Sequence, residues 1–438
     1  PAISRTAAST TPTTATSCGR RQRRGPRVSS LWRHSGFLHL WGAQATSAFG
    51  TRIGREAIQL GAVLLLGATP LDFAWLNVAA SLPYLLFGLF AGVLIDRVRR
   101  RPLLIATDLA RAALLLSIPL AAWIGQFSLV QLLVVTFLVT SCSVIFDSAH
   151  QAYVPTLIGK DQLLDANSKQ ESTAAASEIV GPPVGGILVQ ALGAPIAILC
   201  DAVSYVVSAL LLWRLPHHEA PSAAAGGRLT LDELKVGFLV VFRHPLFRPF
   251  AIAKVIRAIC GGAIGAFYVL YLVGDLHVSP ASLGLIVGCG GAATLAAALV
   301  TPRLAAATPL GPGMILGVIA ATVGMAMIPL ASFAIGGPAV IALLILGQVL
   351  GDFGLTYTLS LERTLRQHRI DNALLGRATV VVYMCGNVPG PLGAILAGIG
   401  AEYFGLTPVL WICVLGYALS PVVLLLSAVR HLKKIAAD

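Results

Sequence analysis

Besides Asp108, Arg111, Asp147 and Asp201, seven ionisable side chains interrupt stretches of sequence that are otherwise apolar. Arg52, Arg55 and Glu56 fall in the run 38–65, Glu178 in 172–191, Lys254 and Arg257 in 249–273, and Asp352 in 336–359. A charge in hydrocarbon is expensive, on insertion scales about 2.5–3.5 kcal/mol, unless it is paired or wet. Each of these residues therefore points to an ion pair, a proton carrier or a charged ligand. Glu56 follows Arg52 by four residues, so on a helix the two share a face. A ligand competing for Arg52 would release Glu56 to take up a proton, and Glu178 and Asp352 are rival carriers. Lys254 and Arg257, three residues apart, would join Arg52 and Arg55 to give a cavity a positive lining suited to an acidic solute. Two plainer readings stay open: a static Arg52–Glu56 pair, and a Lys254 that snorkels to the membrane surface.

Other chemistries lack their residues. The seven cysteines show no metal-ligand or redox spacing, and His217-His218 has no third ligand nearby, so no metal and no cofactor are expected. The apolar runs hold no histidine pair and no Cys–His pairing, and the glycine-rich pieces lack the Gly-Lys-Ser/Thr ending of a nucleotide-binding loop. An enzyme is not expected. The chain carries a formal charge of +12. Its basic residues sit in short gaps and not on one polar face, so no nucleic-acid partner is expected.

The elements that must position these charges are long apolar helices. The chain of 438 residues is 56% hydrophobic and only 11% charged, with a mean hydropathy of +0.81. Soluble chains average about 25% charged residues. Twelve runs are long enough to span a bilayer: 38–65, 73–95, 103–124, 128–150, 172–191, 193–213, 249–273, 279–301, 311–331, 336–359, 376–398 and 405–428. The fold class is thus an all-α polytopic membrane protein.

Charge orients it. The gaps from odd to even runs contain Asp72, Asp275, His277 and Glu402 but no Lys or Arg, whereas the even-to-odd gaps and both termini are basic. Basic loops stay in the cytoplasm, so both termini are expected there. Residues 1–36, with seven arginines and no acid before residue 34, read as a disordered basic tail able to touch anionic lipid. Residues 37–213 and 249–428 form two six-helix halves. Residues 214–248 link them and include a short interfacial helix over 231–242. Residues 429–438 form a second tail.

The halves echo one another. Asp147 and Asp352 lie late in the fourth and tenth runs, 205 residues apart. Gly181-Pro182-Pro183-Val184-Gly185-Gly186 in the fifth run is echoed by Pro389-Gly390-Pro391 in the eleventh, with Pro182 and Pro391 separated by 209 residues. Such repeats are a common transporter plan. The fifth-run motif removes backbone donors and side chains together, so it should bend its helix and admit a close neighbour.

The gap after the second run reads Gly92-Val-Leu-Ile-Asp96-Arg97-Val-Arg99-Arg100-Arg101. It resembles the signature loop between helices two and three of the major facilitator superfamily. Gly92, Asp96, Arg97, Arg100 and Arg101 match its positions, and Arg99 replaces its second glycine. The fifth-run motif is similar to the one characteristic of drug–proton antiporters in that superfamily. The segment from Phe146-Asp147 through Gly193-Ala194-Pro195 and Asp201 to Arg243-His244-Pro245 looks like the bacterial enterobactin-exporter-like and macrolide-efflux-like branch. The resemblance implies the twelve-helix fold of that superfamily in a bacterial cytoplasmic membrane, acting as a monomer. It implies export of a small solute (a siderophore, antibiotic or related amphiphile) driven by protons, with import by the same fold as the alternative. The Asp96–Arg97–Arg100 cluster suits a cytoplasmic latch between the halves, with Asp147 near it, and a generic basic inward loop is the plainer reading that stays open.

The topology is directly testable. In a cysteine-free background, a membrane-impermeant reagent applied outside should modify a cysteine placed next to Gly193 or Gly336 and miss Ala224→Cys. Reversed labelling would contradict the orientation.

Overall fold

A computed structural model describes residues 31, 34–87, 98–158, 162–215 and 231–433. The first tail up to residue 30, residues 216–230, and Gly92, Asp96 and Arg97 lie outside the described residues.

The first half comprises α1 (Ser35–Leu66), α2 (Pro70–Phe87), α3 (Arg100–Trp123), α4 (Leu129–Leu157), α5 (Leu163–Leu192) and α6 (Ala194–Trp213). After α7 (Leu231–Arg243) the second half runs α8 (Phe247–Leu270), α9 (Pro280–Ala307), α10 (Leu310–Leu330), α11 (Gly337–Arg369), α12 (Asn372–Asn387), α13 (Pro389–Phe404) and α14 (Leu406–Leu425). Among the described residues, ten spans are long and apolar enough to cross a membrane, with α12 and α13 counted as one. Adding α1, which carries Arg52, Arg55 and Glu56, and α2 gives twelve.

Local chemistry sets the helix ends. The His34 ring accepts from the Phe37 amide at 3.1 Å and starts α1. Ser128 accepts from the Gln131 amide to start α4, and Ser279 followed by Pro280 starts α9. Gly67, at φ +58°, ends α1 in the left-handed conformation that glycine adopts without a Cβ penalty.

Several expectations are corrected here. The fifth helix starts at Leu163, not 172, and the tenth span, α11, runs to Arg369, ten residues past its expected end. At 1.5 Å per residue, its 33 residues make about 50 Å of helix, so a polar extension leaves the ~30 Å core. The amphiphilic end Leu361–Arg369 had hidden it, because hydropathy falls before helicity does. The eleventh span divides at Val388 into α12 and α13, where Pro389 and Pro391 cannot donate. Its counterpart α5 stays one helix through Pro182 and Pro183. Residues 428–433 are not a free tail: the Leu432 and Lys433 carbonyls accept from the Gly311 and Leu310 amides, at 2.8 and 3.3 Å, covering orphan donors at the start of α10. The interfacial helix exists as α7 and packs on α12, where a Cβ at Gly237 would stand 2.6 Å from the Arg377 carbonyl oxygen.

The apolar core is distributed unevenly between the two ends of the molecule. At the end away from α7 (the far side) one cluster unites both halves, with Leu60, Phe73 and Leu115 of the first joining Phe267, Leu283 and Ile286 of the second. At the α7 end (the linker side) each half keeps its own cluster. Phe37, Leu104 and Phe146 belong to one, and Phe250, Met314 and Leu361 to the other. The halves are thus packed together on the far side.

Two helix pairs carry most of that union, α5 with α9 and α2 with α13, and α8 also touches α2 and α1. In lipid, helices gain little from hydrophobicity, and close approach of small residues supplies the packing. The α5 glycines and prolines meet a glycine stripe on α9. A Cβ at Gly288 would stand 2.6 Å from Pro183 Cγ and 2.8 Å from the Ile179 carbonyl oxygen, and one at Gly291 would stand 2.8 Å from the Glu178 carbonyl oxygen. The α2–α13 contact is looser, with Gly398 facing Ala74 Cβ at 3.1 Å. Gly288→Val should therefore overpack the seam and lower stability by about 1–3 kcal/mol. Gly376→Ala, which meets nothing within 4 Å, should leave it unchanged or slightly raised. Thermal unfolding in detergent reads this, and a Gly288→Val protein as stable as wild type would contradict the seam.

Candidate functional site

Charged groups meet where α5 crosses α1. Gly181 faces Arg52 on α1, and a Cβ at Gly185 would stand 3.2 Å from the Ile53 Cα and 3.6 Å from the Glu56 Cβ. That proximity lets the Arg52 guanidinium ion-pair with Glu178, one turn before Gly181. Arg55 stands between two carboxylates, 3.8 Å from Glu56 Oε1 and 4.0 Å from Glu178 Oε2. The expected intrahelical Arg52–Glu56 pair is replaced by an interhelical one, because the α5 glycines bring Glu178 nearer. Glu56 and Glu178, rivals in the sequence, thus belong to one network joined through Arg55. Glu56 is buried, whereas Arg55 and Glu178 are partly exposed.

Behind this network lies a cavity of about 300 Å³ between the halves. The α1 side contributes Arg55, Glu56 and Gln59, and the opposite wall contributes Tyr268 of α8, Met325 and Met327 of α10, and Gln348 and Asp352 of α11. A hydrogen-bonded chain orders that wall. The Tyr268 hydroxyl donates to Gln348 Oε1 at 2.9 Å, and Gln348 Nε2 donates to Asp352 Oδ2 at 2.8 Å. Gly290 of α9 leaves room for it, since a Cβ there would press on Gln348 and Asp352. Asp352 makes no ion pair among the described residues.

The positive lining expected from four basic groups is not assembled. Of the four, only Arg55 lines the cavity. Lys254 and Arg257 lie nearer the linker-side end of α8, about two turns inside it. There Lys254 Nζ is 3.7 Å from Glu362 Oε2, and Arg366 donates to Glu362 Oε1 at 2.7 Å. Arg257 is buried, with its Nη1 lacking a hydrogen-bond partner. Glu362 was missed because it lies beyond the expected end of its span. Its four-residue spacing from Arg366 was the available signal.

The first half has a polar interior of its own. Asp108 pairs with Arg111 and accepts from Ser208 at 2.7 Å. The Arg111 guanidinium lies 4.4 Å from the Phe146 ring centroid and 4.2 Å from that of Tyr205, a cation–π arrangement. Asp201 is buried and accepts from Ser204, and Gly50 and Gly54 of α1 pack on these two residues. This cluster ties α1, α3, α4 and α6 together and contributes no residue to the cavity lining.

Of the cluster expected to form a latch, Arg100 and Arg101 make their described contacts within the first half. Arg100 donates to the Ala152 carbonyl at 3.0 Å, and Arg101 donates to the carbonyls of Leu212 and Trp213, the last residues of α6. A cation there complements the negative end of the helix. Asp147 is exposed on α4 and makes no ion pair among the described residues. In the second half, Gly390 packs on α8 beside Gly262, and Pro391 follows it in the first turn of α13, as the Gly181–Gly186 motif packs on α1.

Comparisons with known proteins agree with this architecture. A model of the Major Facilitator Superfamily matches residues 40–388. The chain is 27% identical over 353 residues to the multidrug efflux pump Tap of Mycolicibacterium fortuitum, covering 78% of this chain and 84% of that one. It is 28% identical over 176 residues to macrolide efflux protein A of Streptococcus pyogenes, covering 40% and 43%. The fold is similar to the crystal structure of the nucleoside transporter NupG, with a TM-score of 0.72 at 13% identity, covering 89% of this chain and 97% of that one. With two six-helix halves, a cavity between them and a family match across most of its length, the chain belongs to the major facilitator superfamily of multi-pass membrane transporters.

Proposed function

We propose that this transporter exports a small amphiphilic solute from the cytoplasm of a bacterial cell in exchange for protons, by alternating access. The observation that carries the reading is that Glu56 of one half and Asp352 of the other line a single cavity. Glu178 joins this pair through Arg55. A carboxylate in so apolar a setting needs a proton, a cation or a hydrogen-bond donor, and exchange among these is what coupling requires. Proton uptake by Glu56 removes one of the two acids that hold Arg55 and leaves that arginine to Glu178. The charge balance on both sides of the half–half boundary then changes at once.

The linker side faces the cytoplasm in this reading. Its loops and both termini carry the basic residues, and anionic lipid headgroups meet them there. The halves join at the far side, so the cavity is approached from the linker side, as uptake of a solute for export requires. Two relatives are efflux proteins, which supports the outward direction over import. A siderophore, an antibiotic or a related amphiphile fits the mixed lining. The preference for an acidic solute that four basic residues had suggested loses its basis, because three of them lie off the cavity wall. The protein works as a monomer in this account, each chain holding a complete cavity.

Inverted membrane vesicles with an imposed pH gradient test the reading, using macrolides and a panel of amphiphilic dyes. Wild type should accumulate at least one of these only while the gradient lasts. Glu56→Gln should retain binding but lose gradient-driven uptake by about 10-fold or more, and Asp352→Asn and Glu178→Gln should weaken it. If all three variants couple normally, proton exchange through these groups is wrong, and facilitated or solute-driven exchange becomes the better account.

A further inference from the structure

We infer that the cavity takes an amphiphilic cation, with its positive nitrogen set against Asp352; the inference rests on the proposed transport reading and names its substrate class. Two acids, Glu56 and Asp352, line the cavity against one base, Arg55. Arg55 is already shared, standing 3.8 Å from Glu56 and 4.0 Å from Glu178, while Arg52 is engaged by Glu178. Over the whole network three carboxylates face two guanidiniums. The shortfall falls on Asp352, whose described partner is the neutral amide of Gln348.

That amide is fixed from behind. Tyr268 donates to Gln348 Oε1, which turns the Gln348 amino group toward Asp352 Oδ2. The chain supplies hydrogen bonding to one carboxylate oxygen and no compensating charge. An uncompensated carboxylate in a low-dielectric wall gains from a cation far more than from a neutral group, and it repels an anion. The rest of the lining suits an apolar body: Ile264, Val287, Met325, Met327, Ile328 and Leu344. Methionines adapt to irregular shapes, and the Tyr268 ring, its hydroxyl committed to Gln348, offers an aromatic surface to a cation. A volume near 300 Å³ is enough to hold an arylalkyl group.

The test is equilibrium binding to the purified full-length transporter in lipid nanodiscs at one fixed pH. Three probes share an arylalkyl body: phenylbutyltrimethylammonium, phenylbutanol and phenylpentanoate. Wild type should bind the ammonium probe about 10-fold more tightly than the alcohol, and the carboxylate most weakly. Asp352→Asn should weaken the ammonium probe by about 10- to 100-fold, the range of a lost charged contact, and leave the alcohol unchanged. Gln348→Leu, which leaves the acid but frees it, should change the ammonium affinity less than Asp352→Asn does. Tightest binding of the carboxylate, equal binding of cation and alcohol, or no detectable binding of the cation would overturn the inference. So would an Asp352→Asn protein that keeps the wild-type order. The wild-type order decides charge preference without any variant, so poor folding of Asp352→Asn does not shelter the inference. No pH gradient is involved: cation binding with no proton-driven uptake would sink the antiport reading alone, and proton-driven uptake of a neutral or acidic solute would sink the cation alone.

Discussion

The backbone-to-backbone contact of α5 with α9 is the constraint on which the rest of this structure depends. Glu178 shows why. Its side chain holds Arg52 and reaches Arg55 within its own half, while its backbone carbonyl packs on Gly291 of the other half. One residue of one rigid helix is therefore tied both to the charge network and to the seam between halves. Gly284 on the Pro182 carbonyl extends that seam backbone to backbone, and Gly288 meets the rigid Pro183 ring and the Ile179 carbonyl. Such contacts are either close or broken, because a glycine-to-backbone interface has no flexible layer to absorb a small slide.

Function follows from where this seam lies. The shared apolar cluster is at the far side, and the linker-side clusters belong to one half each. The cavity between them carries Glu56 from one wall and Asp352 from the other. A proton or a solute arriving there alters the electrostatics of both halves together. In the proposed alternating-access reading, the motion it biases is the loss of the far-side cluster and the formation of linker-side contacts. The Asp108–Arg111–Ser208 cluster and the Arg100 and Arg101 contacts with α4 and α6 hold the first half as one body in that exchange.

Much of this was legible in the sequence, and the failures have physical causes. Apolar runs bounded by basic and non-basic gaps marked the twelve spans, since hydropathy and helix length answer to the same bilayer thickness. The glycines and prolines of α5 announced close packing, though not that both α1 and α9 would be the neighbours. The pairing of Arg52 was misread because a four-residue spacing describes one helix only, and the winning partner, Glu178, is on another. The positive cavity failed for a related reason: a residue's span does not fix its depth or face, and Lys254 and Arg257 lie near the linker-side end of α8 with Glu362. Glu362 itself was obscured where α11 outlasts its hydropathy. The role of Gln348 was not visible, because a lone amide in an apolar run gains meaning only beside Tyr268 and Asp352.

The central claim is that the halves exchange far-side contact for linker-side contact, and inter-label distances at both ends test it most directly. Spin labels on exposed positions of the same two helices report each end, with Leu192→Cys and Leu285→Cys at the far side, and Leu164→Cys and Ala306→Cys at the linker side, in an otherwise cysteine-free protein in nanodiscs. Pulsed electron-resonance distances would be recorded across a pH series. The account predicts two populations at each end that shift in opposite senses: conditions that lengthen the far-side distance shorten the linker-side one. A far-side distance that never lengthens while the linker side varies, or two ends that lengthen together, would contradict it.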